Sequence, residues 1–445
     1  MTPVISRRAL LGGAAALVVG ITLPARAAEG LKSLKDAPDI DAWIQVGADG
    51  AVTVLTGKSE LGQGIKTALI QVAAEELGLE HGMIRLVTSD TARTPNEGYT
   101  AGSHSMQDSA SAIRQAAAAA RGILLDEAGR RLGVAPESLR LENGAVLAPD
   151  GHRVPLGDLV TGERLHAAVP ETVSLKRPEE YRVVGRSWPR IDIPAKVAGG
   201  AAYVQDLRPP GLVHARIVRP PRYGARLTKL DAAAVTARPG VIAVHRDGDF
   251  LAVVAEREYD AVTAMRALER VATWQGGAAL PEPSEMFTDL ENLPAERTLI
   301  QSTGPDAAPE GRVLRARYRR PYQMHASIGP SCALAQFADG RLTVWSHAQG
   351  MFPLRQAIAE MLGLPEETVR CIHAEGSGCY GHNGADDAAA DAALLARALP
   401  GRPVRVQYTR EQEHCWEPYG TAMFADAAAV LGPDGRIRSW DYAVR

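Results

Sequence analysis

The sequence predicts an α+β chain of several domains, in which two α/β lobes flank a third, smaller α/β module. Three observations predict it. A turn–strand–loop–helix–strand order occurs twice, at residues 48–87 and 338–372. Between the copies lies a segment in which strand and helix patterns alternate over typical domain length. The chain has 445 residues, 46% of them hydrophobic, which is enough for two to four domains with large cores.

The first 28 residues read as a targeting segment, with the twin-arginine pattern Ser6-Arg7-Arg8-Ala9-Leu10-Leu11 and a small-x-small cleavage site at Ala25-Arg26-Ala27. The apolar run between them is short and glycine-rich for a membrane span. This pattern implies export of the folded protein to the periplasm, with a cofactor inserted beforehand. Residues 29–180 form the first lobe. Its unit starts at the Asp49-Gly50 turn and runs through Val52–Leu55, the polar loop from Gly57 to Gly64, a helix ending in Leu77-Gly78-Leu79, and Ile84–Val87. A serine- and glycine-rich stretch, Ala101 to Ser105, precedes a long alanine-rich helix, Gln107 to Leu132. Ser103 and Ser105 suit either a phosphate-binding helix start or a plain helix cap. Val134 to Ala148 reads as a hairpin bending at Glu142–Ala145, and Leu156–Leu165 as a short helix.

A charged, proline-containing stretch sets a boundary near Arg182. The module at 181–277 follows, with strands at Leu212–Val218, Val241–Arg246 and Phe250–Ala255 and helices at Asp231–Ala237 and Glu258–Val271. Asp192 and Lys196 read as surface or interface charges. Residues 278–311, rich in proline and acidic residues, read as a linker. The second lobe, 312–445, repeats the first unit: the Asp339-Gly340 turn, Leu342–Trp345, a loop containing Gln349-Gly350, a helix ending in Leu362-Gly363-Leu364, and Thr368–Ile372. A glycine-rich loop, Gly376 to Gly384, leads to an alanine-rich helix from Asp386. Val313–Arg320, Ser331–Phe337 and Pro403–Tyr408 read as strands, Arg410–His414 as a polar turn, and Gly432–Gly435 as a hairpin turn. Ile437–Arg445 alternates like a strand without a visible partner, which suggests a truncated chain or a last strand that pairs with a second polypeptide.

Composition excludes several function classes. A net charge of -3 and 5% aromatic residues supply neither a basic field nor stacking surfaces for nucleic acid. The four cysteines, 332, 371, 379 and 415, form no Cys-x-x-Cys pair for zinc or an iron–sulfur cluster. No protein-ligated metal site is expected. Gly376, Gly378 and Gly381 have the Gly-x-Gly-x-x-Gly spacing, but the acidic residue of a dinucleotide fold is missing, so a nicotinamide domain is rejected. Cys379 invites a thiol nucleophile with His382 or His373 as base, against a packing role. The amides of Gln63 and Gln349 offer donors and an acceptor. They suit either the edge of a pterin or the bracing of their own loops.

In these motifs the chain resembles the molybdenum-binding large subunit of the xanthine oxidase family, in its exported branch of isoquinoline 1-oxidoreductase and nicotinate or aldehyde dehydrogenase type. Glu60-Leu61-Gly62-Gln63-Gly64 is similar to the family's pterin loop. Gly102, Ser103 and Ser105 are similar to its serine-rich cofactor segment, and 181–277 to its hammerhead domain. Gln349 with Gly350 resembles the glutamine beside the molybdenum, and Gly376, Gly378, Cys379, Tyr380 and Gly381 the glycine loop near the metal. Asn383 stands where purine-oxidising members bind substrate through a glutamate, which puts purines in doubt. The resemblance implies two molybdopterin-binding lobes around the hammerhead domain and a molybdenum–molybdopterin cofactor in its cytosine dinucleotide form. It also implies hydroxylation of an aldehyde or N-heteroaromatic substrate by water-derived oxygen. Partners implied are a small [2Fe-2S] subunit and a cytochrome c subunit, with peripheral membrane association. The family's general-base glutamate lies in a later Gly-x-Gly-Glu motif, so no catalytic base is assigned.

Overall fold

The computed structural model describes residues 32–160, 165–304 and 309–445. The twin-arginine segment and the end of the helix expected at Leu156–Leu165 lie outside these residues; the described part of that helix spans Leu156–Leu159.

In the first unit β1 (Ile44–Val46) and β2 (Val52–Thr56) pair antiparallel around Asp49-Gly50, and β3 (Ile84–Thr88) runs parallel to β2. The crossover is α1 (Ile65–Leu77). In the second unit β13 (Cys332–Ala338) and β14 (Arg341–Ser346) pair antiparallel around Asp339-Gly340, and β15 (Val369–His373) runs parallel to β14. Here the crossover is α5 (Met351–Leu362). Both helices end alike. Gly78 and Gly363 take left-handed φ of 59° and 60°. The N–H groups of Leu79 and Leu364 donate back to Ala74 and Ala359 at 3.1 and 2.9 Å, closing a six-residue cap in each case. The repeated order in sequence is therefore a repeated backbone.

The long α2 (Ser111–Leu132) opens with a π turn, Ser105–Ala110, and its face of Ala112, Ala116, Ala117 and Ala120 is fully buried. Side chains this small allow close approach to α1, and together the two helices cover the first apolar core.

The largest sheet has seven strands, in the order β15-β14-β13-β16-β7-β10-β9. Three of them, β7 (Val213–Ile217), β9 (Val241–Asp247) and β10 (Phe250–Ala255), come from the 181–277 segment. They join the later strands where β16 (Val404–Gln407) runs parallel to β7. The sheet thus runs across the stretch expected as a linker. α6 (Ala385–Ala398), whose alanine face is buried, packs on β13, β14 and β16.

Two expectations need correction. The polar stretch Arg410–His414 is not a turn; it lies in a helix, α7 (Arg410–Trp416). Thr409 and Gln412 form a reciprocal capping box across its start, at 3.2 Å in both directions. Charged composition hid this helix, and the Thr-x-x-Gln spacing signals it. The last strand, β18 (Ile437–Val444), does have a partner, pairing with β17 (Met423–Leu431) through the Gly432–Gly435 turn. Four alanines in β17 lower its strand signal. Among the described residues no helix is long and apolar enough to cross a membrane.

Candidate cofactor site

Four loops converge where the two repeated units meet. The segment after β3 lies against β15: Thr91 N–H donates to Cys371 O and His373 N–H to Ser89 O, both at 3.0 Å. Arg370 forks onto the Asp90 carboxylate with bonds of 2.9 and 2.6 Å. This contact aligns the loop that follows β2 with the loop that follows β14.

The loop after β2 is organised by Glu60, whose side chain is fully buried. Its carboxylate accepts from the N–H groups of Gly62 and Gly64 at 2.9 Å and of Lys66 at 3.1 Å. The N–H groups at the start of α1, expected to face a ligand, therefore face this carboxylate instead. Gln63 braces its own loop, accepting from Leu61 N–H at 2.5 Å and donating to Ser59 O at 2.9 Å. An amide has two donors and two acceptor lone pairs, so one of each remains for a ligand. A second buried carboxylate, Glu97, takes Thr56 Oγ1, Gly57 N–H and Ser109 Oγ at 2.8 to 3.0 Å and fastens this loop to the segment before α2. No side chain caps the π turn that begins at Ser105. The cap reading of Ser103 and Ser105 is thus not what the fold shows; Ser103 instead takes a left-handed φ of 61°.

Gln349 joins the two units directly. Its amide nitrogen donates to Thr100 O at 3.0 Å, and its carbonyl oxygen accepts from Thr100 N–H at 2.8 Å. The glycine loop supplies the facing wall. Gly376 and Gly381 serve the protein's own rings rather than a ligand: a Cβ on Gly376 would lie 2.5 Å from His347 Nδ1, and one on Gly381 2.3 Å from His325 Cδ2. Tyr380 sits at a left-handed φ of 59° with its ring mostly exposed, the kind of conformation that a surrounding structure must hold in place.

Together these loops enclose a cavity of about 460 Å3 lined by Gln63, Gly64, Ser103, Ser105, Gln349, Cys379, Tyr380 and Gly381, with Thr100, Ala101 and Met106. It therefore brings together eight of the residues singled out in the sequence. Gly62, Gly102, Gly350, Gly376 and Gly378 shape the loops without lining the cavity. Asn383 lies elsewhere: it is buried, donates to Ser327 Oγ at 2.9 Å and accepts from Ala385 N–H at 3.1 Å at the start of α6.

The Cys379 thiol is buried, and it donates to Gly381 O at 2.9 Å. Burial pushes its pKa up. A thiol held neutral against a carbonyl is a poor nucleophile, which counts against thiol chemistry. Its two suggested bases are placed otherwise. His382 pairs with Asp386 at 3.1 Å, and burial lowers His373 to about 3. Burial likewise lowers His347 to about 4.

Sequence reasoning missed the charges that hold these loops. Lys66 and Lys196 each lie 2.5 Å from the Glu375 carboxylate, and Lys196 and Arg190 both bind Asp192, at 2.5 and 2.6 Å. This chain of ion pairs ties the first unit, the segment at 190–196 and the second unit together behind the cavity. The paired guanidinium of Arg190, its first cause, holds Asp192 well below the usual carboxylate range. For Glu60 the sequence carried one usable signal, an acidic residue just ahead of a glycine-rich helix start.

Two molybdopterin cofactor-binding domain families match the chain, one over residues 12–202 and the other over 304–445. A nicotinate dehydrogenase large chain of Pseudomonas putida is 41% identical over 427 residues, covering 93% of this chain and 36% of that protein. The beta chain of isoquinoline 1-oxidoreductase from Brevundimonas diminuta is 27% identical, covering 99% of this chain and 64% of that protein. A membrane-bound aldehyde dehydrogenase of Gluconacetobacter polyoxogenes, whose name includes pyrroloquinoline-quinone, is 27% identical and covers 90% and 54%. The chain thus spans about a third to two thirds of the length of these relatives. One family match contains Gln63, the other contains Gln349, and both residues line one cavity: the chain belongs to the xanthine oxidase family of molybdenum-binding large subunits.

Proposed function

We propose that this chain is the cofactor-holding part of an exported molybdenum hydroxylase that oxidises an aldehyde or an N-heteroaromatic substrate and passes electrons to an iron–sulfur partner. The observation that carries this reading is the shared cavity of Gln63, Gln349, Ser103, Ser105 and the 379–381 wall. Its size falls within the roughly 300–1,000 Å3 of small-molecule and cofactor pockets. Its lining is amide, hydroxyl and glycine backbone, a donor and acceptor set that suits the edge of a pterin and a phosphate tail. No protein side chain there needs to ligate a metal, which agrees with a metal carried by the pterin's own sulfurs.

When bound, the group supplies the redox centre, which takes up two electrons and activates the oxygen of water. The chain's own residues do the rest. Gln349, anchored to Thr100, presents its amide at the cavity from the second unit, and Gln63 does so from the first. Ser103 and Ser105 offer hydroxyls at the α2 end, where uncapped N–H groups and the helix dipole favour an anion. The 379–381 wall limits water access. Proton removal from the attacking oxygen is not assigned to any residue of this chain. Support for the substrate class comes from relatives named for nicotinate, isoquinoline and aldehydes. Support for export comes from Ser6-Arg7-Arg8 and the apolar run that follows. A cytosine dinucleotide tail and a cytochrome c acceptor remain part of this proposal, on the family resemblance alone.

The test is metal and pterin analysis of the purified chain from a molybdenum-replete host. About one molybdenum and one pterin per chain is expected, and both should fall at least fivefold in the Gln63→Ala, Gln349→Ala double variant while the melting temperature moves little. A protein that folds without either component would sink the proposal.

A further inference from the structure

α7 stands behind the cavity wall with a segment of irregular chain, residues 325–331, between them. On one side of that segment, α7 and the residue that follows it offer three charged side chains about one turn apart. Arg410 donates to Ser327 O and Ile328 O at 2.6 and 2.7 Å. Glu413, fully buried, accepts from Ser331 N–H at 2.9 Å and Ser331 Oγ at 2.8 Å. Glu417, with its side chain also fully buried, accepts from the N–H groups of His325 and Ala326 through one carboxylate oxygen, 3.6 Å from His325 Nδ1. On the other side, the same segment carries the glycine loop. Ile328 N–H donates to Ser377 O at 3.1 Å, Asn383 donates to Ser327 Oγ, and the His325 ring fills the space beside Gly381.

We propose that Glu417 is a positioning residue for the wall of the cofactor cavity. It holds the turn at His325–Ala326, where Ala326 takes a left-handed φ of 54°. That turn places the imidazole under Gly381, and the imidazole fixes the height at which Cys379, Tyr380 and Gly381 face the cavity. Non-glycine residues at such φ persist only where neighbours over-determine them, and here a desolvated carboxylate on two N–H groups does so. The significance of that wall rests on the cofactor reading above; the mechanical link does not.

The thiols of the full chain provide the test. Cys379 lies in the wall, Cys332 and Cys371 lie in the sheet core, and Cys415 is exposed. Alkylation of the cofactor-free chain by iodoacetamide is followed residue by residue. In Glu417→Ala, Cys379 should react at least tenfold faster while Cys332 and Cys371 keep their rates. Glu417→Gln should restore the slow rate, because the amide oxygen accepts the same two N–H groups. An unchanged Cys379 rate, or equal acceleration of Cys332 and Cys371, overturns the proposal. Should Glu417→Ala not fold, His325→Ala carries the test with the same expected rise, and no rise overturns it. Molybdenum retention is measured separately. Faster Cys379 labelling with undiminished retention supports the mechanical link and overturns only the wall's role in holding the cofactor.

Discussion

Glu60 joins binding loop and fold in one residue, since three N–H groups that an anion might have used are bonded to its buried carboxylate. Removing it leaves those donors without a partner in a site closed to water. Glu60→Ala should therefore cost about 3 kcal/mol, and Glu60→Gln less. Urea unfolding measures this, and a loss below about 1 kcal/mol for Ala would contradict the assignment. The buried imidazoles of His347 and His373 make a second statement at this scale. Burial lowers them from the ordinary 6.5 to about 4 and about 3. Between pH 6.5 and those values the unfolded chain binds the proton and the folded chain does not. Stability therefore falls as pH drops, by about 1.4 kcal/mol per pH unit for each histidine. His347→Gln should flatten that decline between pH 6.5 and about 4 by about one proton, read from urea midpoints across that range. An unchanged slope would mean that His347 does not titrate in the folded protein as described.

The two crossover helices permit a controlled comparison at the scale of the element. α1 and α5 end in the same cap, but their glycines have different surroundings. A Cβ on Gly78 would lie 2.4 Å from Leu141 O in the β4–β5 hairpin (Arg140–Leu147), whereas one on Gly363 meets nothing within 4 Å. Gly363→Ala should cost about 1 kcal/mol for the left-handed φ alone. Gly78→Ala should cost at least about 2 kcal/mol more, because the hairpin must move. Thermal unfolding of the pair decides it, and equal losses would refute the steric account. Elements were legible where periodicity and turn chemistry agreed: β10 and the helix at Glu258–Val271 fall where the sequence puts them. They were not legible where composition misled, as in the charged α7 and the alanine-rich β17. The π turn at Ser105–Ala110 had no sequence signal, since it follows from the left-handed residue at Ser103.

At the scale of the molecule, the sheet of β12 (Arg312–Arg320), β17 and β18 has unequal faces. One face carries the helix Met286–Asn292, with Phe287 against Phe424 and Glu291 against Arg317. Strand register puts Leu314, Tyr318, Trp440, Tyr442 and Val444 on the other, all more than 40% exposed, around Ala425, Ala427 and Ala429. An apolar face this continuous favours association. The chain by itself should self-associate, and Trp440→Glu with Tyr442→Glu should shift it toward monomer in sedimentation velocity; no shift would exclude this face as the cause. The sequence by itself determined the repeated unit, its helices and turns, and the two glutamine loops, because each depends on contacts within a few residues or on a local period. Tertiary structure alone decided that Gln63 and Gln349 border one cavity, that Arg370 reaches Asp90, and that Glu375 gathers two lysines. Those contacts join residues more than a hundred positions apart, so they depend on how whole elements pack, and no local pattern encodes them.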